Sequence, residues 1–137
     1  KLCVTNPAVE AKILEEWRAA GRPDNWNVCP NDGRGFCTCA NCRALDGNPG
    51  ETLEDTFKGD NIDLAGRYID LWNRLLRVMR QENPQVTLSS YAYSVYQDPP
   101  PGTRFEPGMV LQVLEQGFLN HDRVLRPAKV IVSSKPA

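Results

Sequence analysis

Three cysteines within six residues, Cys37-Thr38-Cys39-Ala40-Asn41-Cys42, constrain this chain more than any other feature. Thiols that close cannot all pair with one another as disulfides, so one must pair outward, stay free or bind a metal. Two more cysteines stand at Cys3 and Cys29. A tetrahedral zinc site needs a fourth sulfur or an imidazole. Cys29 with Cys37, Cys39 and Cys42 supplies such a set, and Cys3 is the other candidate for the fourth place. Disulfides that tie down a long loop in an oxidising compartment explain the same residues. Both readings stand at this point. A cysteine nucleophile fits less well, because the one histidine, His121, lies far along the chain in the polar turn Asn120-His121-Asp122. A thioredoxin-type pair also fits poorly, since its C-x-x-C opens a helix directly after a strand.

The surrounding pattern sets the fold class. Lys1–Thr5 reads as a short strand. Asn6-Pro7 then starts a helix, with Asn6 capping the free amides and Pro7 in the first helical position. Val9, Ile13, Leu14 and Trp17 follow at helical spacing, and Gly21-Arg22-Pro23 ends the run. Trp26–Pro30 reads as a second strand, and the stretch from Asn31 to Phe57, without periodicity, as a long loop. From Asn61 to Gln81 one stripe collects Leu64, Tyr68, Leu71, Trp72, Leu75, Leu76 and Met79, the mark of an amphipathic helix. Asn83-Pro84 stops it. Val86–Tyr96 is a third strand, Gln97–Gly108 a loop, Met109–Leu114 a fourth strand, and Val130–Ser133 a candidate fifth.

Strands alternating with helices across long connections predict a parallel sheet with helices packed on one face. The expected fold is α/β, a partial (β/α)8 barrel-like segment over residues 1–114, with its Cys-rich loop at 29–57 and a C-terminal extension at 115–137. The other face of the sheet, expected to carry Val28, Leu88, Val110 and Leu114, is left without cover by this chain. The remainder of a longer protein, or an oligomeric neighbour, is therefore expected to complete it.

Charge and hydropathy remove two classes of partner. Sixteen basic residues against 17 acidic ones leave a net charge of −1. A non-specific nucleic-acid binder needs a basic excess to displace phosphate counterions, so no nucleic acid is expected. The longest aliphatic runs, such as Val130-Ile131-Val132, fall far short of the roughly 20 residues that cross a bilayer, so no membrane span is expected. The first residues lack a signal-peptide pattern. The chain is expected either to begin at a processed end or to be a piece of something longer.

In a parallel α/β sheet the loops at the carboxyl ends of the strands form the functional rim. That rule selects Asn31 and Asp32 after the second strand, Tyr91 and Tyr93 in the third, and Glu115 and Gln116 after the fourth. Asp32 and Glu115 are the candidate catalytic carboxylates. Asn31, Tyr91, Tyr93 and Gln116 are the candidate substrate contacts. Carboxyl groups for acid/base work beside aromatic rings that stack on sugars suit a glycan. Each residue also has a plainer role: Asn31-Asp32-Gly33 is a common turn, and Tyr91 and Tyr93 share one side of a strand and would pack together.

Several motifs together resemble a known family. They are Pro30-Asn31-Asp32-Gly33, then Phe36-Cys37-x-Cys39-x-x-Cys42-Arg43-Ala44-Leu45-Asp46, then Trp72-Asn73-Arg74 on the long helix, and Leu88-Ser89-Ser90-Tyr91-Ala92-Tyr93 before Pro99-Pro100. Over roughly Cys3 to Leu114 this resembles the catalytic-domain segment of bacterial glycoside hydrolase family 163, formerly an uncharacterised domain family. The resemblance implies a (β/α)8 barrel, a secreted, periplasmic or cell-surface location, and cleavage of N-acetylglucosamine-containing glycans. A full member is several times longer, so this chain would form about half a barrel. The pattern fades after Leu114. The resemblance places Asp32 on the substrate rim with Asn31 orienting it or the sugar, and supplies no match for Glu115.

Overall fold

The computed structural model describes residues 2–30, 36–47, 63–92, 94–113, 118–120 and 123–126. Helix α1 spans Pro7–Ala19. Its first turn is built as the sequence requires: the Asn6 Oδ1 accepts the Ala8 amide at 2.9 Å and Pro7 opens the helix. At the other end Gly21 takes φ +86° and Arg22 φ +56°, a left-handed step that glycine adopts without Cβ strain. Leu14 and Trp17 are buried, and the Trp17 indole donates to the Pro23 carbonyl at 3.1 Å.

The predicted strand at Lys1–Thr5 is corrected by the structure. The Cys3 carbonyl accepts the Asn6 amide at 3.0 Å and Val4-Thr5 form a turn, so this segment is the approach to the α1 cap instead of a strand. Its one deeply buried side chain, Val4, joins the core.

Strand β1 is Asn25–Asn27, short helix α2 Ala40–Arg43, and helix α3 Ala65–Glu82. The α3 stripe is as the periodicity predicts. Tyr68, Leu71, Trp72, Leu75, Leu76 and Met79 are all buried, each worth about 1.5–3 kcal/mol as a large apolar side chain removed from water. Strand β2 is Thr87–Ala92, followed by a single 3-10 turn at Ser94–Tyr96, and β3 is Met109–Val113. Strands β4, Phe118–Asn120, and β5, Arg123–Arg126, pair antiparallel as a separate two-stranded sheet that the sequence reading did not anticipate. The candidate strand Val130–Ser133 lies outside the described residues.

The main sheet has the order β1-β2-β3 and both pairings are parallel. Trp26, Leu88 and Met109 are register partners and so share a face, which α3 and α1 cover. Leu88 is fully buried there and Val28 packs against the same core. This corrects the expectation that Val28 and Leu88 stand on the uncovered face. The alternation leaves Asn25 and Asn27 of β1, Thr87, Ser89 and Tyr91 of β2, and Val110 and Gln112 of β3 on the other side, all half-buried or exposed. That face is mostly polar and hydrogen-bonded to itself: Asn25 donates to the Thr87 hydroxyl at 3.0 Å and accepts from Ser89 at 3.2 Å.

The architecture is thus mixed α/β, a small three-stranded parallel sheet with helices on one side. The helices run back against the strands. The Leu64 amide meets the Val95 carbonyl just beyond β2, at the sheet's carboxyl end. At the amino end Glu82 bonds Arg18 and Arg22, and Asn83 donates to the Asp24 carboxylate. One difference from a regular βαβ repeat stands out. The β2–β3 connection carries the 3-10 turn at Ser94–Tyr96, and the long helix α3 serves only the β1–β2 crossover.

Candidate metal centre

Because α1 runs back toward the sheet's amino end, its start stands at the carboxyl-end rim, and Cys3 lies just before that start. The Cys-rich loop is brought to the same place by its own docking on α3. The Arg67 guanidinium is buried and grips Asp46 through two bonds, 2.7 and 2.6 Å, while a third N–H donates to the Cys37 carbonyl at 2.9 Å. Arg43 also reaches Asp46, at 3.0 Å. A buried charge pair of this kind contributes little net stability but fixes geometry, because separating it would strand a charge away from water.

The result is a cluster of four sulfurs. The ligand atoms of Cys3, Cys37, Cys39 and Cys42 all lie within 4.8 Å of one another. The Sγ of Cys3 is 3.7 Å from that of Cys39 and 3.8 Å from that of Cys42. A tetrahedral zinc with bonds of about 2.3 Å separates its sulfurs by about 3.8 Å, whereas a disulfide brings two to about 2.05 Å. Both Cys3 separations match those of a tetrahedral ion site, and all five cysteines are free, so no disulfide ties the cluster.

The fourth sulfur is therefore that of Cys3, which corrects the set built on Cys29. Cys29 sits just past β1, its amide bonded to the Asn27 side chain at 2.9 Å. It lines a cleft of about 320 Å³ among Leu2, Val4, Ile13, Trp26 and Tyr68. The turn at Val4-Thr5 swings Cys3 onto the Cys loop instead, with the Thr5 hydroxyl 3.3 Å from the Cys42 sulfur.

A family model described as "Domain of unknown function (DUF4838)" matches residues 1–125. The chain belongs to that family. Among curated proteins, this DUF4838 chain is similar to Protein GrpE of Cereibacter sphaeroides, 49% identical over 41 residues, 30% of this chain and 22% of that protein. Protein GrpE of Alkalilimnicola ehrlichii is 54% identical over 35 residues, 26% and 16% of the two chains. Protein GrpE of Novosphingobium aromaticivorans is 32% identical over 97 residues, 69% and 52%. The chain thus spans between 16% and 52% of the length of these relatives. No solved structure matches it.

Within the DUF4838 chain Cys3, Cys37 and Cys39 are moved from the ordinary thiol acidity in different directions. Cys39 caps α2, and the Cys42 amide, followed by the Cys37 thiol, lowers it to about 6. At Cys37 the Cys39 amide favours the thiolate, but burial and the neighbouring sulfurs together outweigh it and push the thiol up to about 11. Cys3 is lowered, first by the Thr5 hydroxyl.

The rim residues fare unevenly. Tyr91 is on the uncovered face near the carboxyl end of β2 and 41% exposed, beside Gln112 in the register. Asn31, Asp32, Tyr93, Glu115, Gln116 and His121 lie outside the described residues. One rim carboxyl escaped the sequence reading. Asp63, at the start of α3, is pushed up by burial, with Asp98 and Asp46 adding to the effect. Its Oδ1 accepts the Ala65 amide at 2.8 Å, which satisfies one free donor in the first turn of the helix. Among the described residues no helix is long and apolar enough to cross a membrane.

Proposed function

We propose that the chain is a segment of a (β/α)8 barrel that cleaves N-acetylglucosamine-containing glycans, and that Cys3, Cys37, Cys39 and Cys42 hold a structural zinc ion at its rim. The observation that carries the barrel reading is the parallel sheet in sequential order β1-β2-β3, helix-covered on one side only. Further strands from a longer chain would extend it at both edges. The motif resemblance to glycoside hydrolase family 163 supports the substrate class and a secreted, periplasmic or cell-surface site. In this reading Asp32, and Glu115 as the second carboxylate, belong to the rim. One carboxylic acid protonates the glycosidic oxygen, and the other carboxylate, or the sugar's own acetamido group, stabilises the oxocarbenium-like state. Asn31, Tyr91, Tyr93 and Gln116 contact the sugar, the exposed Tyr91 ring offering a stacking surface. In a longer protein containing this segment, Asp32→Asn is expected to lower turnover at least about a hundredfold. A change within threefold would remove Asp32 from the chemistry.

The four-sulfur geometry serves equally a second reading, a zinc-stabilised binding or structural module without catalysis. The zinc itself is common to both. Chain purified under reductant with zinc and then desalted is expected to carry one zinc ion by elemental analysis. Changes to residues that merely orient ligands cost about 10–100-fold in metal affinity. Cys3→Ser, which removes a ligand, is expected to cost more than that, while Cys29→Ser keeps full affinity. Equal loss in the two variants would overturn the assignment of the fourth ligand.

A further inference from the structure

We infer that the four-thiolate centre is a redox-exchangeable staple, in which hydrogen peroxide replaces the metal by a disulfide between Cys3 and Cys39. The inference rests on the zinc reading above. Its geometric basis is the unequal access to the four sulfurs. Cys39 is exposed and lies 3.7 Å from Cys3; Cys3 and Cys37 are half-buried alike, Cys37 with its backbone tied to Arg67, and Cys42 is fully buried. An oxidant arriving from solvent meets Cys39 first, and the Cys3 thiolate, 3.7 Å away, is within reach to resolve it.

The chemistry closes without any other reagent. The Cys39 thiolate attacks one peroxide oxygen, the O–O bond breaks, and hydroxide leaves, giving a sulfenic acid. The Cys3 thiolate then attacks the Cys39 sulfur, forming the S–S bond and expelling a second hydroxide. Each sulfur loses one electron, the peroxide gains two, and two protons from solvent convert the hydroxides to water. Cys37 and Cys42 alone cannot complete a four-coordinate site, so the ion departs. Both staples join the same two segments, the approach to α1 and the Cys loop, 36 residues apart in sequence. The rim therefore keeps its tether in reducing and in oxidising surroundings.

The test is titration of zinc-loaded full chain with hydrogen peroxide, following released zinc with a chromophoric chelator and mapping disulfides by non-reducing peptide mass spectrometry. The expected result is one zinc released per two thiols lost, with Cys3–Cys39 as the main pair and full reloading after reduction. Cys29→Ser should behave identically. Retention of zinc while Cys39 oxidises, or a main pair other than Cys3–Cys39, would overturn the inference. A reduced chain that takes up no zinc before any peroxide is added would instead overturn the zinc reading beneath it.

Discussion

Glu82 accepts hydrogen bonds from both Arg18 and Arg22, and those two guanidinium groups, Arg18 foremost, hold its carboxyl at about 2 against an ordinary 4.5. A carboxyl whose pKa is depressed on folding stabilises the native state above its unfolded value, and that contribution disappears as pH falls toward the folded one. Thermal melts between pH 4.5 and pH 2 should therefore show a steeper loss for the native chain than for Glu82→Gln. Parallel slopes would mean that the contact is screened out in solution. At this scale the sequence was informative where a local rule applies. Asn6 and Pro7 cap α1 as their chemistry demands, and three cysteines declare themselves by spacing alone. The fourth ligand was not legible from spacing, because Cys3 and Cys29 both lie outside the motif. The choice is made by the Val4-Thr5 turn, whose bond from Asn6 to Cys3 no propensity distinguishes from an extended Cys-Val-Thr run.

Between elements, the tightest join is the Cys loop on α3. The Leu45 carbonyl approaches Gly66 so closely that a Cβ there would sit 2.1 Å from the oxygen. Alanine in a helix interior is worth up to about 1 kcal/mol over glycine. Even so, Gly66→Ala is expected to lower the melting temperature, because the obstructing atom is backbone and the loop carrying Asp46 and Cys42 must move to admit the methyl. A higher melting temperature would show that the loop yields freely. The elements divide by length in how readable they are. The α3 stripe repeats over several turns and is unmistakable, and β2 and β3 are legible from their β-branched, aromatic and aliphatic composition. The four-residue α2 is too short to show a period and was read as loop. The turn at Ser94–Tyr96 was absorbed into a strand, since Val95 and Tyr96 are strand formers in composition.

Taken as a whole molecule, the parallel sheet and its single helical layer were foreseeable from the order of strands and helices. What the order could not convey was the character of the second face. The expectation of an apolar second face, uncovered by the helices, places Leu88 outside. The local alternation Asn25-Trp26-Asn27 and Thr87-Leu88-Ser89 says otherwise, and it is the better guide, because the helices cover the side that carries Trp26, Leu88 and Met109. The two ends of this layer are held by different means, Glu82 with its arginines at one and the cluster of sulfurs at the other.

The amide and hydroxyl row of Asn25, Thr87 and Ser89 has a calorimetric consequence. Burying apolar surface gives association its negative heat-capacity change, and burying polar surface contributes with the opposite sign. Any segment that settles over the Asn25, Thr87 and Ser89 side of the sheet is expected to do so with a muted heat-capacity signature.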